Sequence, residues 1–275
     1  MSVYKETDGN ILREYQLESP HIQSKQSEKA LLEIVPTQEF GSVLFLDNVL
    51  QFAQKDEYIY HEMLVHPCLS TSKTRETICI LGGGDGCALR EVLKWKEVKQ
   101  IDLFDWDKEV TNIFSKEYAW LNMWSLNDPR VHIYNEDIRG LVEKSFSYDC
   151  ILVDLLDPNE SQGELWTDIL HCAKQWIRPG GSIVINAGGI LPWKPESLNW
   201  LLQQIQPPPG FQRHLYKVFV PSFGKEWCFL LFNEQKKIRL DSLPPGLDYL
   251  DEIAWNQAYT YGWTKNYQKT VIGLF

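Results

Sequence analysis

No Cys-x-x-Cys pair occurs among the six cysteines of this 275-residue chain. The cysteines are scattered, and several lie in apolar runs typical of buried strands. They are Cys68, Cys79, Cys87, Cys150, Cys172 and Cys228. We therefore expect buried free thiols, because this spacing argues against a disulfide framework and against zinc sites built from cysteine.

An excess of basic residues and a long hydrophobic run are also absent. The formal net charge of −10 argues against nucleic-acid binding and suits small cationic partners. No stretch approaches the roughly 18 apolar residues that a membrane helix needs, and the first residues hold no apolar core of signal-peptide length. These absences predict a cytoplasmic protein that binds neither nucleic acid nor membranes.

Hydrophobic residues make up 44% of the chain, enough for the core of one large domain with a small appendage. Short β-rich runs separated by polar turns predict a small antiparallel sheet in an N-terminal domain, residues 1–55. Apolar strands that alternate with helices predict an α/β domain over residues 56–234, with a parallel sheet covered on both faces. Within it we expect a helix that ends near Pro67, and two antiparallel edge strands in residues 213–233. The polar and aromatic residues 235–275 predict a C-terminal appendage.

Acidic residues follow four successive strands of the predicted sheet. Because the carboxyl ends of parallel strands meet at one edge, where such sheets bind ligands, these side chains should converge. Asp107 is an exception, since an aspartate in this position commonly caps the helix that follows it. The acids are Asp85, Asp105, Asp107, Glu136, Asp137, Asp154 and Asp157.

The segment LGGGDGCALREVL, residues 81–93, predicts a strand, a glycine turn and a helix, as in proteins that hold a phosphate at a helix N-terminus. Asp85 lies inside the glycine run, where its carboxylate would repel a phosphate. Asp105 follows at the spacing of about twenty residues typical of an acid that binds ribose hydroxyls, and Asp137 could accept a hydrogen bond from an adenine amino group. An adenosyl sulfonium, a nucleoside with a positive charge and no phosphate, satisfies all of these features.

Several long motifs in the same order resemble those of the polyamine aminopropyltransferases, the spermidine, spermine and thermospermine synthases. The resemblance extends over roughly residues 10–235. The motifs are FGSVLFLDNVLQ, DEYIYHEMLVHP, LGGGDGCALREVL, FDWDKEV, NDPRVHIYNED, YDCILVDLLDP and VPSFGKEW.

This resemblance implies an α/β fold in which a small N-terminal antiparallel β domain precedes a methyltransferase-like Rossmann domain. It also implies transfer of an aminopropyl group from decarboxylated S-adenosylmethionine, a co-substrate, to an amine, with release of 5′-methylthioadenosine. The family needs no metal or other cofactor, and the resemblance suggests a homodimer.

The resemblance also implies roles for individual residues. Asp154 matches the catalytic acid–base, Asp157 its partner across the acceptor channel, and Tyr60 the tyrosine beside the attacking amine. The implied donor site consists of Gln51, His61, Asp85, Asp105, Asp137 and Ile138. The implied acceptor site consists of Tyr60, His61, Asp85, Asp154, Asp157 and Glu226.

The chemistry of such a reaction agrees with clustered carboxylates. An alkylamine is almost wholly protonated near neutral pH, yet only the neutral amine attacks the carbon next to a sulfonium. A carboxylate can bind the ammonium, orient it and accept its proton. Two cationic substrates repel each other, and Asp85, Asp154 and Asp157 would supply compensating negative charge.

Two departures from the spermidine synthase pattern concern the acceptor. The paired acids occur as DLLD, without the usual Ser/Thr between them, and VPSFGKEW replaces TYPSG. Both are closer to the spermine and thermospermine synthases, and Glu226 resembles an acid that holds the distal nitrogen of spermidine. Spermidine is therefore the favoured acceptor, with putrescine and agmatine as alternatives; Glu226 could equally be a solvated edge-strand residue.

Two other functions remain open. Putrescine N-methyltransferases are related to this family, so an S-adenosylmethionine-dependent amine N-methyltransferase is the main alternative. A non-catalytic relative that binds a nucleoside or a polyamine is the other, although the presence of Asp85 and Asp154 argues against it.

Overall fold

The computed structural model describes residues 2–158, 160–191, 194–240 and 242–261. The last part of the predicted C-terminal appendage, residues 262–275, lies outside the described residues. No helix within the described ranges is long and apolar enough to cross a membrane.

Two small antiparallel sheets precede the first helix. The sequence predicts only a single small sheet in this region. The first is a hairpin of β1 (Val3–Asp8) and β2 (Ile11–Gln16). The second has four strands in the order β3 (Gln23–Gln26), β4 (Leu31–Thr37), β5 (Gly41–Leu46) and β6 (Val49–Ala53). Asp47 and Asn48 turn between β5 and β6 with φ angles of 47° and 62°, the left-handed conformation that tight hairpins favour.

A seven-stranded sheet forms the centre of the larger part of the molecule. Its strands are β7 (Thr77–Gly82), β8 (Gln100–Phe104), β9 (Val131–Tyr134), β10 (Tyr148–Asp154), β11 (Ile177–Ile190), β12 (Gln212–Val220) and β13 (Lys225–Asn233), in the order β12-β13-β11-β10-β7-β8-β9. Strands β7 to β11 pair in parallel, and β13 pairs antiparallel with β11 and β12. This confirms the predicted α/β sheet and its antiparallel edge. The strand order reverses between β7 and β10, and open α/β sheets bind ligands in the crevice at such a reversal.

Helices pack on both faces of this sheet. They are α1 (Glu57–Thr71), α2 (Cys87–Leu93), α3 (Lys108–Ser115), α4 (Gly163–Trp176), α5 (Glu196–Gln204) and α6 (Glu252–Trp255). Met63 and Leu64 of α1 belong to the core on one face, and Trp166 and Trp176 of α4 belong to the core on the other. The helix α5 is not among the elements predicted from the sequence.

Helix α1 does not end near Pro67, as the sequence predicts, but continues to Thr71. A proline inside a helix removes one backbone donor and leaves the carbonyl four residues earlier without its helical partner. Tyr216 of β12 is fully buried and supplies the donor: its hydroxyl donates to the Met63 carbonyl at 2.8 Å. This long-range bond accounts for a helix that passes through Pro67, and no local sequence pattern indicates it.

The C-terminal segment attaches to the same helix through Glu62, which is fully buried. The Glu62 carboxylate accepts hydrogen bonds from the backbone N–H groups of Asp248, Tyr249 and Leu250 at 2.7, 3.0 and 2.7 Å. A buried carboxylate is tolerated when its oxygens are hydrogen-bonded, as they are here. The described part of the predicted appendage is therefore anchored on α1.

We predict that Tyr216→Phe destabilises the protein by about 1–3 kcal/mol, because the buried Met63 carbonyl then lacks a donor. The measurement is the free energy of unfolding from chemical denaturation. Pro67→Ala provides the matched background, since an alanine restores the backbone N–H that can bond to this carbonyl. Tyr216→Phe should cost less in that background, and an equal loss in both backgrounds would contradict this role of Tyr216.

Candidate active site

The glycine loop between β7 and α2 passes very close to two other strand ends. Gly82 has a φ of 85°, a conformation that favours glycine. A Cβ atom on Gly82 would lie 2.0 Å from the carbonyl oxygen of Asp154, at the end of β10. A Cβ atom on Gly84 would lie 2.5 Å from Oδ2 of Asp105, just after β8. The glycines therefore allow the loop to pack directly against the acidic strand ends.

Asp105, the predicted ribose ligand, lies beside this loop and already accepts two backbone hydrogen bonds. Its Oδ2 accepts from the Gly84 N–H at 2.9 Å and its Oδ1 from the Asp107 N–H at 2.8 Å. Burial raises the pKa of Asp105 to about 6, and these two hydrogen bonds oppose the rise. Each carboxylate oxygen has a further lone pair, so Asp105 can still accept from a ligand hydroxyl. Asp107 caps α3, as predicted, and accepts from the Glu109 N–H at 2.9 Å.

Tyr60 of α1 and Asp154 of β10, both predicted to be catalytic, are in direct contact. The Tyr60 hydroxyl donates to Asp154 Oδ1 at 2.6 Å. Burial raises the pKa of Tyr60 well above its usual value, so the phenol stays protonated. Burial also raises the pKa of Asp154 to about 6; the charge of His61 and the Tyr60 hydrogen bond oppose this rise, and the charge of Asp85 adds to it. Near neutral pH, Asp154 is thus an ionised group that can accept a proton.

His61, next to Tyr60 on α1, is held by a buried chain of charges that was not predicted from the sequence. Its Nδ1 lies 2.7 Å from Glu57 Oε2. Glu57 in turn accepts two hydrogen bonds from Arg90 of α2, at 2.8 and 3.0 Å, and Arg90 also donates to Glu91 at 2.8 Å. The segments DEYIYHEM and CALREVL place charged residues among apolar ones. This pattern could have indicated the ion pairs, because buried charges are seldom unpaired.

The surrounding carboxylates keep the His61 imidazole protonated. Burial alone would lower its pKa, but the hydrogen bond and charge of Glu57, together with the charges of Asp85 and Asp154, outweigh burial and raise the pKa to about 9. Its Nε2 faces Asp85 Oδ1 at 4.0 Å, and the same oxygen accepts from the Cys87 N–H at 2.7 Å. A cation therefore lies between the acids of the cluster and reduces their repulsion.

Asp157 follows β10 on a solvent-accessible segment, yet protein groups surround its carboxyl. Burial raises its pKa to about 6, the charge of Lys225 opposes this rise, and Asp8 adds to it. Hydrogen bonds from the Gly189 N–H and the Asn186 side chain favour the ionised form. Because Asp157 is exposed to solvent, a ligand can reach its carboxyl.

An apolar cleft opens beside the glycine loop, and concave apolar sites of this kind commonly bind small ligands. Its lining includes Phe104, Trp106, Leu155, Leu156 and Trp166. Asp137 and Ile138, the residues predicted to bind adenine, also line it. A hydrogen bond from Arg139 to Asp137, at 3.0 Å, holds the pKa of Asp137 below its usual value. The cleft thus combines apolar walls with the ionised Asp137 carboxylate, which can accept a hydrogen bond.

Gln51, the remaining predicted donor ligand, lines a second, much smaller cavity. Tyr60 and His61 line the same cavity, so the structure brings Gln51 to the predicted site. The Gln51 amide donates to the Val49 carbonyl at 3.0 Å, which uses one of its four hydrogen-bonding positions.

Glu226, predicted to anchor the distal nitrogen of an acceptor, lies away from this cluster. Adjacent residues of a strand face opposite sides of a sheet. Trp227 faces α1, where its ring lies 6.2 Å from that of Tyr60, so Glu226 faces the other side. There its carboxylate pairs with Lys217 of β12. The pairing of β13 with β11 and β12 sets the face that Glu226 occupies, and this face does not favour the predicted contact with an acceptor, which stays a prediction.

Glu57, His61 and Cys87 present potential metal ligands within 4.8 Å of one another, the one such group in the described part of the chain. Arg90 already binds Glu57 at 2.8 Å, and burial raises the pKa of the Cys87 thiol well above its usual value. A metal ion would have to displace Arg90 and remove protons from His61 and Cys87. The three residues therefore fit an ion-pair network better than a metal centre.

Residues 57–242 match the model of the Spermine/spermidine synthase domain family, and the chain belongs to this family. Three similar proteins named polyamine aminopropyltransferase come from Leptospira interrogans (37% identical), Oceanobacillus iheyensis (35%) and Pyrobaculum aerophilum (33%). Each alignment covers 76% of this chain, and they cover 42%, 41% and 73% of the respective relatives. The chain thus spans about two fifths of the length of the first two.

Two solved structures share the fold over nearly their whole length. A spermidine synthase in complex with the transition state analogue AdoDATO has a TM-score of 0.86 at 22% identity, with 100% of this chain and 96% of that chain covered. Spermidine synthase from Thermotoga maritima has a TM-score of 0.79 at 21% identity, with 99% and 95% covered. These likenesses confirm the predicted fold: a small N-terminal β region before a mostly parallel α/β sheet.

We predict that the His61 imidazole remains protonated at pH 8 and titrates near pH 9, because Glu57, Asp85 and Asp154 surround it. The folded-state pKa lies above the ordinary 6.5, so the resulting stabilisation is present below pH 6.5 and is lost as the pH rises through about 9. The measurement is an NMR titration of the histidine ring resonances. His214, whose pKa burial lowers, is the internal control. A His61 that titrates at or below 6.5 would show that the carboxylates do not hold its charge.

Proposed function

We propose that the protein transfers an aminopropyl group from decarboxylated S-adenosylmethionine to a polyamine and releases 5′-methylthioadenosine. The observation that carries the proposal is the Tyr60–Asp154 contact of 2.6 Å, together with the nearby Asp85 and the apolar cleft. Family membership and relatives named polyamine aminopropyltransferase support it. A structural neighbour bound to a transition state analogue of spermidine synthase has the same fold.

The donor nucleoside would occupy the apolar cleft. Its adenine would lie against Ile138 and donate to the ionised Asp137. Its ribose hydroxyls would donate to Asp105, whose carboxylate retains free lone pairs. The positively charged sulfonium and aminopropyl group would then lie near Asp85, which explains a carboxylate in a glycine loop: the loop receives a cation where related loops receive a phosphate. Gln51 would contact the methylthio part of the donor from the second cavity.

The transfer step needs a neutral amine beside the sulfonium. Asp154 would bind the acceptor's ammonium, orient it and take its proton. The amine nitrogen then attacks the aminopropyl carbon bonded to sulfur, the bond between that carbon and sulfur breaks, and its electron pair neutralises the sulfonium to leave 5′-methylthioadenosine. Tyr60 would position Asp154 through its hydrogen bond. Because the sulfonium is itself the leaving group, the proposed reaction needs no metal or other cofactor.

The acceptor proposed here is a polyamine, without a preference for spermidine. The expected preference rested on DLLD, on VPSFGKEW and on Glu226, and Glu226 faces the opposite side of the sheet and pairs with Lys217. A cytoplasmic location, expected from the sequence, and a homodimer, implied by the family resemblance, are parts of the proposal, and sedimentation of the purified protein tests the second.

An amine N-methyltransferase would use the same cleft but a different donor. S-adenosylmethionine carries a carboxylate that the decarboxylated form lacks. Two like charges about 4 Å apart at an effective dielectric constant of 20 cost on the order of 4 kcal/mol. Asp85 in the glycine loop therefore favours the decarboxylated donor, and the N-methyltransferase alternative is not favoured.

Product identity is the test. We predict that decarboxylated S-adenosylmethionine with a mixture of polyamines yields 5′-methylthioadenosine, and that S-adenosylmethionine yields no S-adenosylhomocysteine, both measured by mass spectrometry. Asp154→Asn should lower the rate by about 10²–10⁴, because an amide cannot accept the proton. Asp128→Asn, which removes a pairing with Arg130 at 2.9 Å on a distant turn, is the matched control and should leave the rate unchanged.

Two results would contradict the proposal. Formation of S-adenosylhomocysteine would identify a methyltransferase. If Asp154→Asn retained more than a tenth of the wild-type rate, Asp154 would not be the base. Donor binding by the Asp154→Asn protein, measured by calorimetry, distinguishes loss of chemistry from loss of the fold.

A further inference from the structure

Lys225 of β13 places an ammonium group near two aromatic rings of the candidate active site, those of Tyr60 and Trp227. The Tyr60 and Trp227 rings lie 6.2 Å apart, and the Lys225 Nζ lies 5.6 Å from the centre of the Trp227 ring. The same nitrogen donates to Asp8 Oδ2 of β1 at 2.9 Å. Tyr60 and Lys225 therefore lie on the same side of the sheet, with Trp227 between them.

The aliphatic part of the Lys225 side chain packs against Gly189 of β11, which has no side chain. A Cβ atom on Gly189 would lie 2.6 Å from Lys225 Cδ and 3.1 Å from the Trp227 ring. The Lys225 side chain is 19% exposed. Because the Lys225 side chain packs against Gly189 and Trp227 and its Nζ donates to Asp8, the ammonium group has a defined position.

The Asp157 carboxyl, on the segment that follows β10, packs against Gly188, the residue of β11 next to Gly189. The carboxyl carbon of Asp157 lies 3.4 Å from the position of a Cβ atom on Gly188. Among the charges around Asp157, that of Lys225 has the largest effect on the pKa of the Asp157 carboxyl, and it lowers that pKa. Asp157, the carboxylate proposed to face Asp154 across the acceptor channel, is thus already shared with a cation of the protein itself.

We propose that Lys225 sets the length of the acceptor by excluding an amine that carries a third ammonium group. A diamine can place one nitrogen at Asp154 and the other at Asp157. A triamine is longer, so its third ammonium would extend beyond Asp157 towards Lys225, where two like charges repel each other. This inference rests on the proposed function for the location of the acceptor channel.

The test compares the binding of 1,4-diaminobutane and spermidine by calorimetry, without a donor. We predict that the wild-type protein binds the diamine at least about tenfold more tightly than the triamine. Lys225→Met should raise the affinity for spermidine relative to 1,4-diaminobutane by about tenfold, because it removes the charge and retains the aliphatic chain. Lys225→Gln, which keeps a polar group for Asp8, should shift the ratio in the same direction if the methionine variant does not fold.

Three control variants separate charge from structure. Lys225→Arg keeps the cation and should keep the wild-type ratio. Asp8→Asn breaks the contact between β1 and β13 but leaves the lysine, so the ratio should not shift towards spermidine. Glu226→Gln changes the charge of the adjacent residue on the opposite face and should also leave the ratio unchanged.

The inference is overturned if Lys225→Met and the wild type show the same ratio, if Asp8→Asn produces the same shift as Lys225→Met, or if neither amine binds. A wild-type preference for spermidine also overturns it. Because binding is measured without transfer, a protein that shows the predicted ratios but releases no 5′-methylthioadenosine would overturn the proposed reaction alone.

Discussion

Repulsion among the aspartates around Tyr60 is the constraint on which the rest of the site depends. The charges of Asp85, Asp154 and Asp157 all act on the Tyr60 hydroxyl and help to raise its pKa. Carboxylates gathered in this way persist only where cations oppose them or where their pKa values rise. Both occur here: the pKa values of Asp154 and Asp157 rise to about 6, while His61 on one side and Lys225 on the other supply positive charge. A cationic substrate would add the charge that these two residues leave uncompensated.

Helix α1 connects this electrostatic arrangement to the fold. It carries Tyr60 and His61 side by side, and its path depends on contacts made by residues far away in the sequence. The Tyr216 hydroxyl satisfies the carbonyl left free by Pro67, and Glu62 binds the backbone of residues 248–250. The helix is thus attached to the edge of the central sheet and to the C-terminal segment, so stability of these remote parts and position of the site residues are linked.

The sequence was sufficient for the parts of the site that depend on local pattern. Acids at successive strand ends converge because parallel strands share one edge, which placed Asp85, Asp105 and Asp154 correctly beside the glycine loop. Long-range features could not be predicted in this way. The passage of α1 through Pro67 needs a donor from another strand, the Glu57–Arg90 pair joins two helices, and the face of Glu226 depends on the pairing of the edge strands. In each case the deciding contact joins residues that no local periodicity connects.

The proposed cation-binding role of the acidic cluster can be tested without turnover. The carboxyl ¹³C resonance of Asp154, assigned by comparison with Asp154→Asn, reports its ionisation as the pH changes. We predict titration near pH 6 in the free protein and a shift to lower pH with saturating 1,4-diaminobutane, because a bound cation favours the ionised form. Titration at the ordinary value near 3.8, or no change on addition of the diamine, would contradict the proposed role of the cluster.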